Sequence, residues 1–278
     1  MKKMRNILII VLILQIYIFF NQQINDIVII TQQIKDQQLS KIFSGVAVVQ
    51  ISDLHIEKVG LRERKLIRLI NRLNPDIIFI TGDFVSTNQG IEPCIKVLKQ
   101  IVQGHLVVAI LGNSDHYCKG KDVNTKLLTR QLKQIGIKLL VNESLKLEIN
   151  RNSPKVNSFL YIVGLDDNFL WRDDIFKAMN NVPVDAPKIL LAHAPNIVEK
   201  ICTKGINLIL SGHTHGGQIV LPFIGALATN SVCGSKKKFV SGLYIEGRAN
   251  LYVNRGIGTS VLPLRLFCKP EITVFKFI

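Results

Sequence analysis

Leu208-Ile209-Leu210-Ser211-Gly212-His213-Thr214-His215-Gly216-Gly217 is an apolar run that stops at a glycine and is followed by two histidines one residue apart. The run reads as a buried strand closed by turn residues. Residues at i and i+2 of an extended backbone point the same way, so His213 and His215 aim two imidazoles at one place. Neutral imidazoles suit borderline divalent metals. Taken alone the pair also fits a polar turn, because short motifs recur by chance. What decides between the two is that other strands end in the same way. Residues 46–51 run into Asp53 and His55, and residues 77–80 into Gly82-Asp83. Residues 106–111 run into Gly112-Asn113-Ser114-Asp115-His116, and residues 189–192 into His193. Unbroken Val/Ile/Leu runs of this kind are strands of a sheet covered on both faces. Ligands of such α/β sheets collect beyond the carboxyl ends of the strands.

Between these runs the apolar period lengthens to that of a helix. Residues 61–73 place Leu66, Ile67, Ile70 and Leu73 on one face, with Arg62, Lys65, Arg68 and Arg72 largely on another. Asn74-Pro75 ends that helix. Residues 91–102 and 123–135 follow the same pattern, the latter closed by Gly136. Helices are also expected over residues 169–179 and 195–203. Residues 27–30 read as an edge strand and 31–40 as a polar loop. Strands are expected at 138–141, 145–149 and 159–163 around a polar loop at 150–157, and the chain beyond Gly217 is strand-rich. Alternating strands and helices followed by a strand-rich end predict an α/β fold, a two-sheet mixed β sandwich flanked by helices.

The chain has 278 residues, 47% of them apolar, enough for one large core. Its net charge of +15 comes from 35 basic and 20 acidic residues spread along the sequence. Such a balance opens nucleic acid, anionic lipid and acidic substrates as partners. No basic stripe interleaved with aromatics is present, which argues against nucleic acid. Oligomeric state is not legible. Cys94, Cys118, Cys202, Cys233 and Cys268 are odd in number and include no C-x-x-C, so neither a disulfide framework nor a structural zinc site is expected. Cys94 and Cys202 fall in helix-like patterns as ordinary apolar residues.

The first 25 residues read separately from a catalytic domain over 26–278. A basic start, Met1-Lys2-Lys3-Met4-Arg5-Asn6, precedes an apolar stretch over 7–20. That stretch is shorter than the ~20 residues of a spanning helix. It has the length of a signal-peptide core, yet Asn21-Gln22-Gln23-Ile24-Asn25 carries no small-x-small cleavage pattern. The reading is an uncleaved membrane anchor, single-pass or peripheral, with the N-terminus in the cytoplasm and the domain on the outer side.

Asp53, His55, Asp83, Asn113, His193, His213 and His215 are too many ligands for one zinc. They suit two adjacent divalent metals sharing a carboxylate, an arrangement that clamps the attacking and leaving oxygens of a phosphoryl displacement. These blocks resemble those of the calcineurin-like metallophosphoesterases in order and rough spacing. The resemblance implies that Asp53, His55 and His215 hold one metal, that Asn113, His193 and His213 hold the other, and that Asp83 bridges them. The resemblance implies divalent metals such as Mn, Fe or Zn. Ser114 departs from the family's Gly-Asn-His-Asp/Glu block, whose histidine protonates the leaving oxygen, aligned by the acid that here is Asp115. His116 is a candidate replacement donor, or else a surface loop histidine. Without such a donor, easily expelled leaving groups are expected: aryl esters, or a nucleoside monophosphate leaving a pyrophosphate.

The end of the chain is similar to a branch of small membrane-associated bacterial phosphoesterases, through Tyr252-Val253-Asn254-Arg255-Gly256-Ile257-Gly258-Thr259-Ser260 and Pro263-Leu264-Arg265. Arg255, Arg265 and Lys237, within Lys236-Lys237-Lys238, are the candidate phosphate-binding residues. The apolar stretches 221–227 and 261–264 read as membrane-facing. Some members of the branch are similar to UDP-2,3-diacylglucosamine hydrolases of lipid A synthesis, which implies a lipid-linked substrate. That nucleotide lipid faces the cytoplasm, whereas the leader places the domain outside. A nuclease or a cell-envelope phosphodiesterase of the same superfamily is the alternative. A second is a non-catalytic membrane-anchored metal-binding module, against which the complete ligand set speaks.

Overall fold

The computed structural model describes residues 2–118, 120–149, 158–201, 205–226, 239–247, 249–260 and 262–278. The strands in chain order are β1 (Val28–Ile34), β2 (Val48–Ile51), β3 (Ile77–Thr81), β4 (Leu106–Ile110), β5 (Tyr117–Cys118), β6 (Lys121–Asp122), β7 (Lys138–Leu139) and β8 (Glu143–Ile149). They continue with β9 (Ser158–Gly164), β10 (Lys188–Leu191), β11 (Leu208–Ser211), β12 (Val220–Leu221), β13 (Gly225–Ala226), β14 (Gly242–Glu246), β15 (Ala249–Val253) and β16 (Glu271–Phe277). The helices are α1 (Lys2–Asn25), α2 (Gln37–Ile42), α3 (Leu61–Leu73), α4 (Ile91–Ile101), α5 (Thr125–Gln134), α6 (Ile175–Met179) and α7 (Ile197–Lys200).

Two six-stranded mixed sheets carry the fold, ordered β1-β16-β2-β3-β4-β7 and β14-β15-β11-β10-β9-β8. In the first, β2, β3, β4 and β7 are parallel and β16 joins β2 antiparallel. In the second, β15, β11, β10 and β9 are parallel, with antiparallel edges at β14 and β8. Alternation along each strand explains the continuous apolar runs. Ile77 and Phe79 of β3 join the core between the sheets, together with Leu208 and Leu210 of β11. Ile78 and Ile80 point the other way, into a core shared with Leu66 and Ile70 of α3 and Leu98 of α4. Leu190 and Ile209 pack outward in a third cluster with Ile197. Burial on both faces removes polar positions from the strands, and the result is the helix-flanked sandwich expected.

Gln50 is the polar exception inside the sandwich. Its amide donates to Thr81 Oγ1 and to the Ser211 carbonyl, each at 3.0 Å, and so ties the two sheets together just below the strand ends.

Several elements differ from expectation. The polar stretch after β1 contains α2, nucleated by Asp36, whose Oδ1 accepts from Leu39 N at 2.9 Å. Residues 169–174 are not helical. Asp167 accepts the Leu170 N–H and its carbonyl that of Arg172, which hold a turn until Asp174 caps α6. The helix expected over 195–203 is limited to α7 among the described residues. The polar end of the leader is helical and docked: buried Gln23 accepts from Phe267 N at 3.2 Å, and Phe19 lies 6.2 Å from the Phe267 ring. Among the described residues no helix is long and apolar enough to cross a membrane. The loop 150–157, Lys236-Lys237-Lys238, Cys202 and Cys233 lie outside the described residues.

Candidate metal centre

All seven candidate ligands meet at one edge of the sandwich, each on the loop leaving the carboxyl end of β2, β3, β4, β10 or β11. Asp53, His55, Asp83 and His215 are buried and can each offer a ligand atom within 4.8 Å of the others. His55 Nε2 lies 3.2 Å from His215 Nε2 and 3.3 Å from Asp83 Oδ2, and His215 Nε2 lies 3.4 Å from Asp53 Oδ1. A second group adjoins the first. His193 Nε2 is 3.4 Å from Asp83 Oδ1, 3.2 Å from Asn113 Oδ1 and 3.2 Å from His213 Nδ1.

The backbone is bent to bring these groups together. Asp53, His55, Asp83, His213 and His215 all have φ between 42° and 69°. Non-glycine residues rarely occupy this left-handed region, and such outliers gather where surrounding contacts enforce them. Here Asp53 N donates to the Gly82 carbonyl and His55 N to that of Asp83, each at 3.0 Å, and Gly258 N reaches the Asp53 carbonyl at 2.6 Å. The glycines of the motifs make room. A Cβ on Gly82 would stand 2.7 Å from His193 Nδ1, and one on Gly212 would collide with Ser52 and Asp53.

Contacts around the ligands fix their tautomers and orientation. His193 Nδ1 donates to the Thr81 carbonyl at 2.7 Å, which leaves Nε2 to face Asp83 and to give its lone pair to a cation that displaces its proton. His55 Nδ1 is held by Ser86 Oγ at 2.8 Å. Asp53 accepts the His213 N–H on both oxygens at 3.0 Å. Asp83 accepts the Ser114 N–H on Oδ1 at 2.8 Å and the Ser114 hydroxyl on Oδ2 at 3.0 Å. Serine at this position therefore fastens the central carboxylate.

The electrostatics are those of buried carboxylates and imidazoles facing one another. Burial disfavours the Asp83 carboxylate, yet the charges and hydrogen bonds of His193 and His55 outweigh it and hold the group well below its ordinary range. Burial likewise opposes charge on His193, but Asp83, Asp53 and Asp167 hold it well above the ordinary value. His215 is pushed well down by burial, then by His55 and Arg265. Burial raises Asp53. A cation would replace the proton that this cluster shares, so the donor set fits a divalent metal whose binding releases protons.

The other candidates are placed differently. Asp115 spends its oxygens on the N–H groups of Phe84, Val85 and Gly112, at 2.8, 3.2 and 2.9 Å, lacing the Asp83 loop to the Asn113 loop. Burial, with the Asp83 charge, pushes it up to about 8. His116 is neither a surface histidine nor free to serve a leaving group. It is buried, with Nε2 at 2.7 Å from Asp166 Oδ1 and Nδ1 at 3.4 Å from Thr125 Oγ1. Arg265 cannot bind substrate as expected, being wholly buried with its donors on backbone carbonyls. Arg255 is half-exposed and leans on Glu271, Nε to Oε2 at 3.3 Å. Lys237 lies outside the described residues.

Sequence reasoning missed Ser86, Thr81 and the segment Asp166-Asp167-Asn168. The last had a readable signal: residues 159–163 and Gly164 form a sixth apolar run ending in glycine and acid.

A cavity of about 650 Å³ opens beside His55 and Ser86. Its lining includes basic Lys58, Arg62 and Arg64, acidic Glu57 and Glu63, and apolar Ile24 of α1, Leu61 and Pro263. Arg62 is paired with Glu63 at 2.7 Å.

Residues 46–217 match the calcineurin-like phosphoesterase family. The chain is 35% identical over 247 residues to the metallophosphoesterase YkuE of Bacillus subtilis (strain 168), covering 87% of this chain and 82% of that protein. It is 31% identical over 206 residues to the phosphodiesterase YaeI of Escherichia coli (strain K12), covering 73% and 71%. To the UDP-2,3-diacylglucosamine pyrophosphatase LpxG of Chlamydia muridarum (strain MoPn / Nigg) it is 27% identical over 289 residues, covering 87% of each.

Proposed function

Because this chain belongs to the calcineurin-like phosphoesterase family and is a phosphoester hydrolase, we propose that it works through two divalent metals on an amphiphilic phosphodiester or pyrophosphate at a membrane surface. The observation that carries the two-metal reading is the division of labour on Asp83. Its Oδ2 faces His55 at 3.3 Å and its Oδ1 faces His193 at 3.4 Å, so one carboxylate serves two groups of ligands. Asp53, His55 and His215 hold the first metal, Asn113, His193 and His213 the second. Bound there, Mn, Fe or Zn ions supply Lewis acidity and a nucleophilic hydroxide near neutral pH. The chain's own residues set the geometry. Ser114 and Asp115 immobilise the Asp83 and Asn113 loops, and the Thr81 carbonyl fixes the His193 tautomer.

Neither Ser114 nor His116 is available as a proton donor, so the leaving group departs with little help. General acid catalysis is worth about 10²–10⁴-fold, and a leaving group that is already a weak base does not need it. A nucleotide leaving a pyrophosphate meets that condition, as in UDP-2,3-diacylglucosamine, the substrate class in LpxG's name. The cavity beside His55 supports an amphiphile, because both basic side chains and apolar ones, including Ile24 of α1, line it. Leu12, Ile13, Leu14 and Tyr17 of α1 are exposed and apolar, which favours a peripheral seat on the lipid surface.

Three p-nitrophenyl diesters test this reading. Bis-p-nitrophenyl phosphate should be hydrolysed by metal-loaded protein, not after chelation, and again once metal returns. Octyl p-nitrophenyl phosphate should be hydrolysed with a kcat/KM at least about tenfold above that of the methyl ester, since even two CH₂ groups entering the cavity, at about 0.8 kcal/mol each, give that factor. Metal-independent hydrolysis would remove the two-metal mechanism. Equal octyl and methyl rates would remove the amphiphile.

A further inference from the structure

The last turn of α1 is fixed against the domain from several directions. Only Asp26 and Ile27 separate it from β1, which pairs with β16 along its whole length. Ile27 is buried in the core that α3 covers, and Val28 N donates to the Pro270 carbonyl at 2.9 Å. Buried Gln23 accepts the Phe267 N–H. Asp26 takes Lys65 of α3 on one carboxylate oxygen and Lys269 on the other, each at 2.6 Å. Ion pairs this exposed add little energy, but with the strand and Gln23 they set which face of α1 meets the domain.

That face borders the metal centre. Asn21, Ile24 and Asn25 line the cavity that reaches His55 and Ser86. Their i, i+3, i+4 spacing makes them one stripe of the helix, whereas Gln23 turns to Phe267. Within the stripe the two amides satisfy each other. Asn25 Nδ2 donates to Asn21 Oδ1 at 2.5 Å and to the Asn21 carbonyl at 2.9 Å. Ile24 is half-buried and carries the apolar surface of the stripe. Leu61 and Pro263, from two other segments, line the same cavity. Leu61 is 65% exposed, an apolar surface that the chain itself does not cover. A lone apolar side chain at the surface is ordinary. Three around a cavity that also holds a metal-ligand histidine are placed to meet a bound molecule.

We propose that the docked end of α1 is part of the substrate site and that Ile24 determines specificity there, packing on the alkyl portion of an amphiphile whose phosphate lies at the metals. The inference rests on the amphiphile reading above. It adds that the helix seated on the lipid surface also selects the molecule drawn from it. Loss of apolar surface at Ile24 therefore penalises long-chain substrates more than short ones.

The test is kcat/KM of full-length, Mn²⁺-loaded protein on octyl and methyl p-nitrophenyl phosphate, without detergent and below the micelle concentration of the octyl ester. Wild type is compared with Ile24→Asn, Ile24→Ala and Val11→Asn. Val11 is exposed on the same helix, about 20 Å from Ile24 at about 1.5 Å per residue. Ile24→Asn should lower the octyl-to-methyl ratio at least about fivefold and Ile24→Ala at least about threefold, while Val11→Asn keeps the wild-type ratio. Melting curves check that each variant is folded. Alanine keeps the helix propensity high, so Ile24→Ala decides alone where Ile24→Asn fails to fold. A ratio within about twofold of wild type in the folded Ile24 variants would overturn the proposal and leave the amphiphile reading standing. Equal octyl and methyl rates in wild type would overturn both. A fall in Val11→Asn as large as in Ile24→Asn would make chain-length preference a property of the apolar helix as a whole, which also overturns the assignment to Ile24.

Discussion

Asp83→Asn is expected to lower kcat on bis-p-nitrophenyl phosphate by at least about 10³-fold, with the protein still folded. The size follows from position. Asp83 lies within 3.4 Å of an imidazole nitrogen from each ligand group, one on each carboxylate oxygen, and it carries the charge opposing His193 and His55. An amide there keeps an acceptor oxygen for one group but offers a nitrogen donor to the other, so one cation loses its shared anionic ligand. Transition-state stabilisation of about 4 kcal/mol corresponds to that factor. The fold should survive because the introduced asparagine can still accept one of the two Ser114 hydrogen bonds, and β3 is held by burial on both faces. Circular dichroism and a melting curve run beside the kinetics separate the two effects. A variant that is folded and retains more than a tenth of wild-type kcat would show that Asp83 does not join two metals.

Arg265→Met is expected to have the largest effect on stability. Arg265 has no exposed surface, and its partners are backbone carbonyls rather than carboxylates. Its guanidinium donates to the carbonyls of Gly258 at 2.6 Å, Arg255 at 2.8 Å, Cys268 at 3.1 Å, Gly256 at 3.2 Å and His215 at 3.3 Å. Burial brings its pKa down only to about 10, so it is charged at neutral pH. The charge is solvated by peptide dipoles gathered from the His215 loop, the 255–258 turn and the segment before β16. Methionine fills much of the space but leaves those carbonyls buried without a donor. At about 1–3 kcal/mol for each group that stays dry, the loss reaches at least about 4 kcal/mol. At about 2–4 °C per kcal/mol in a chain near this size, the melting temperature should fall by about 10 °C or more. Arg265→Lys should recover only part of this, since one ammonium cannot span the planar fork. A fall below about 2 °C for Arg265→Met, less than a single kcal/mol is worth, would mean that water reaches the carbonyl cage.

Arg265 also shows where sequence reading gives out. A lone arginine in Pro263-Leu264-Arg265 looks like a surface cation beside a phosphate site, because the carbonyls that enclose it come from three separate stretches of chain. His116 was open to the same ambiguity, resolved by Asp166 fifty residues away. By contrast the five strand ends were legible, since each strand is buried on both faces and its apolar run stops where the ligand begins. The sixth such end, at Asp166-Asp167-Asn168, has no histidine and so carried no metal signature. Residues 31–40 hid α2 because its apolar face is only Leu39 and Ile42, too short a stripe to show a helical period beside the cap from Asp36.

The central claim is that two metals sit on either side of Asp83. Crystals of the Mn²⁺-loaded protein, measured at the manganese absorption edge, test it directly through the anomalous difference map. Two peaks about 3.5–4 Å apart are expected, one beside Asp53, His55 and His215 and one beside Asn113, His193 and His213, with Asp83 touching both. A single peak, or two peaks of which Asp83 touches only one, would contradict it.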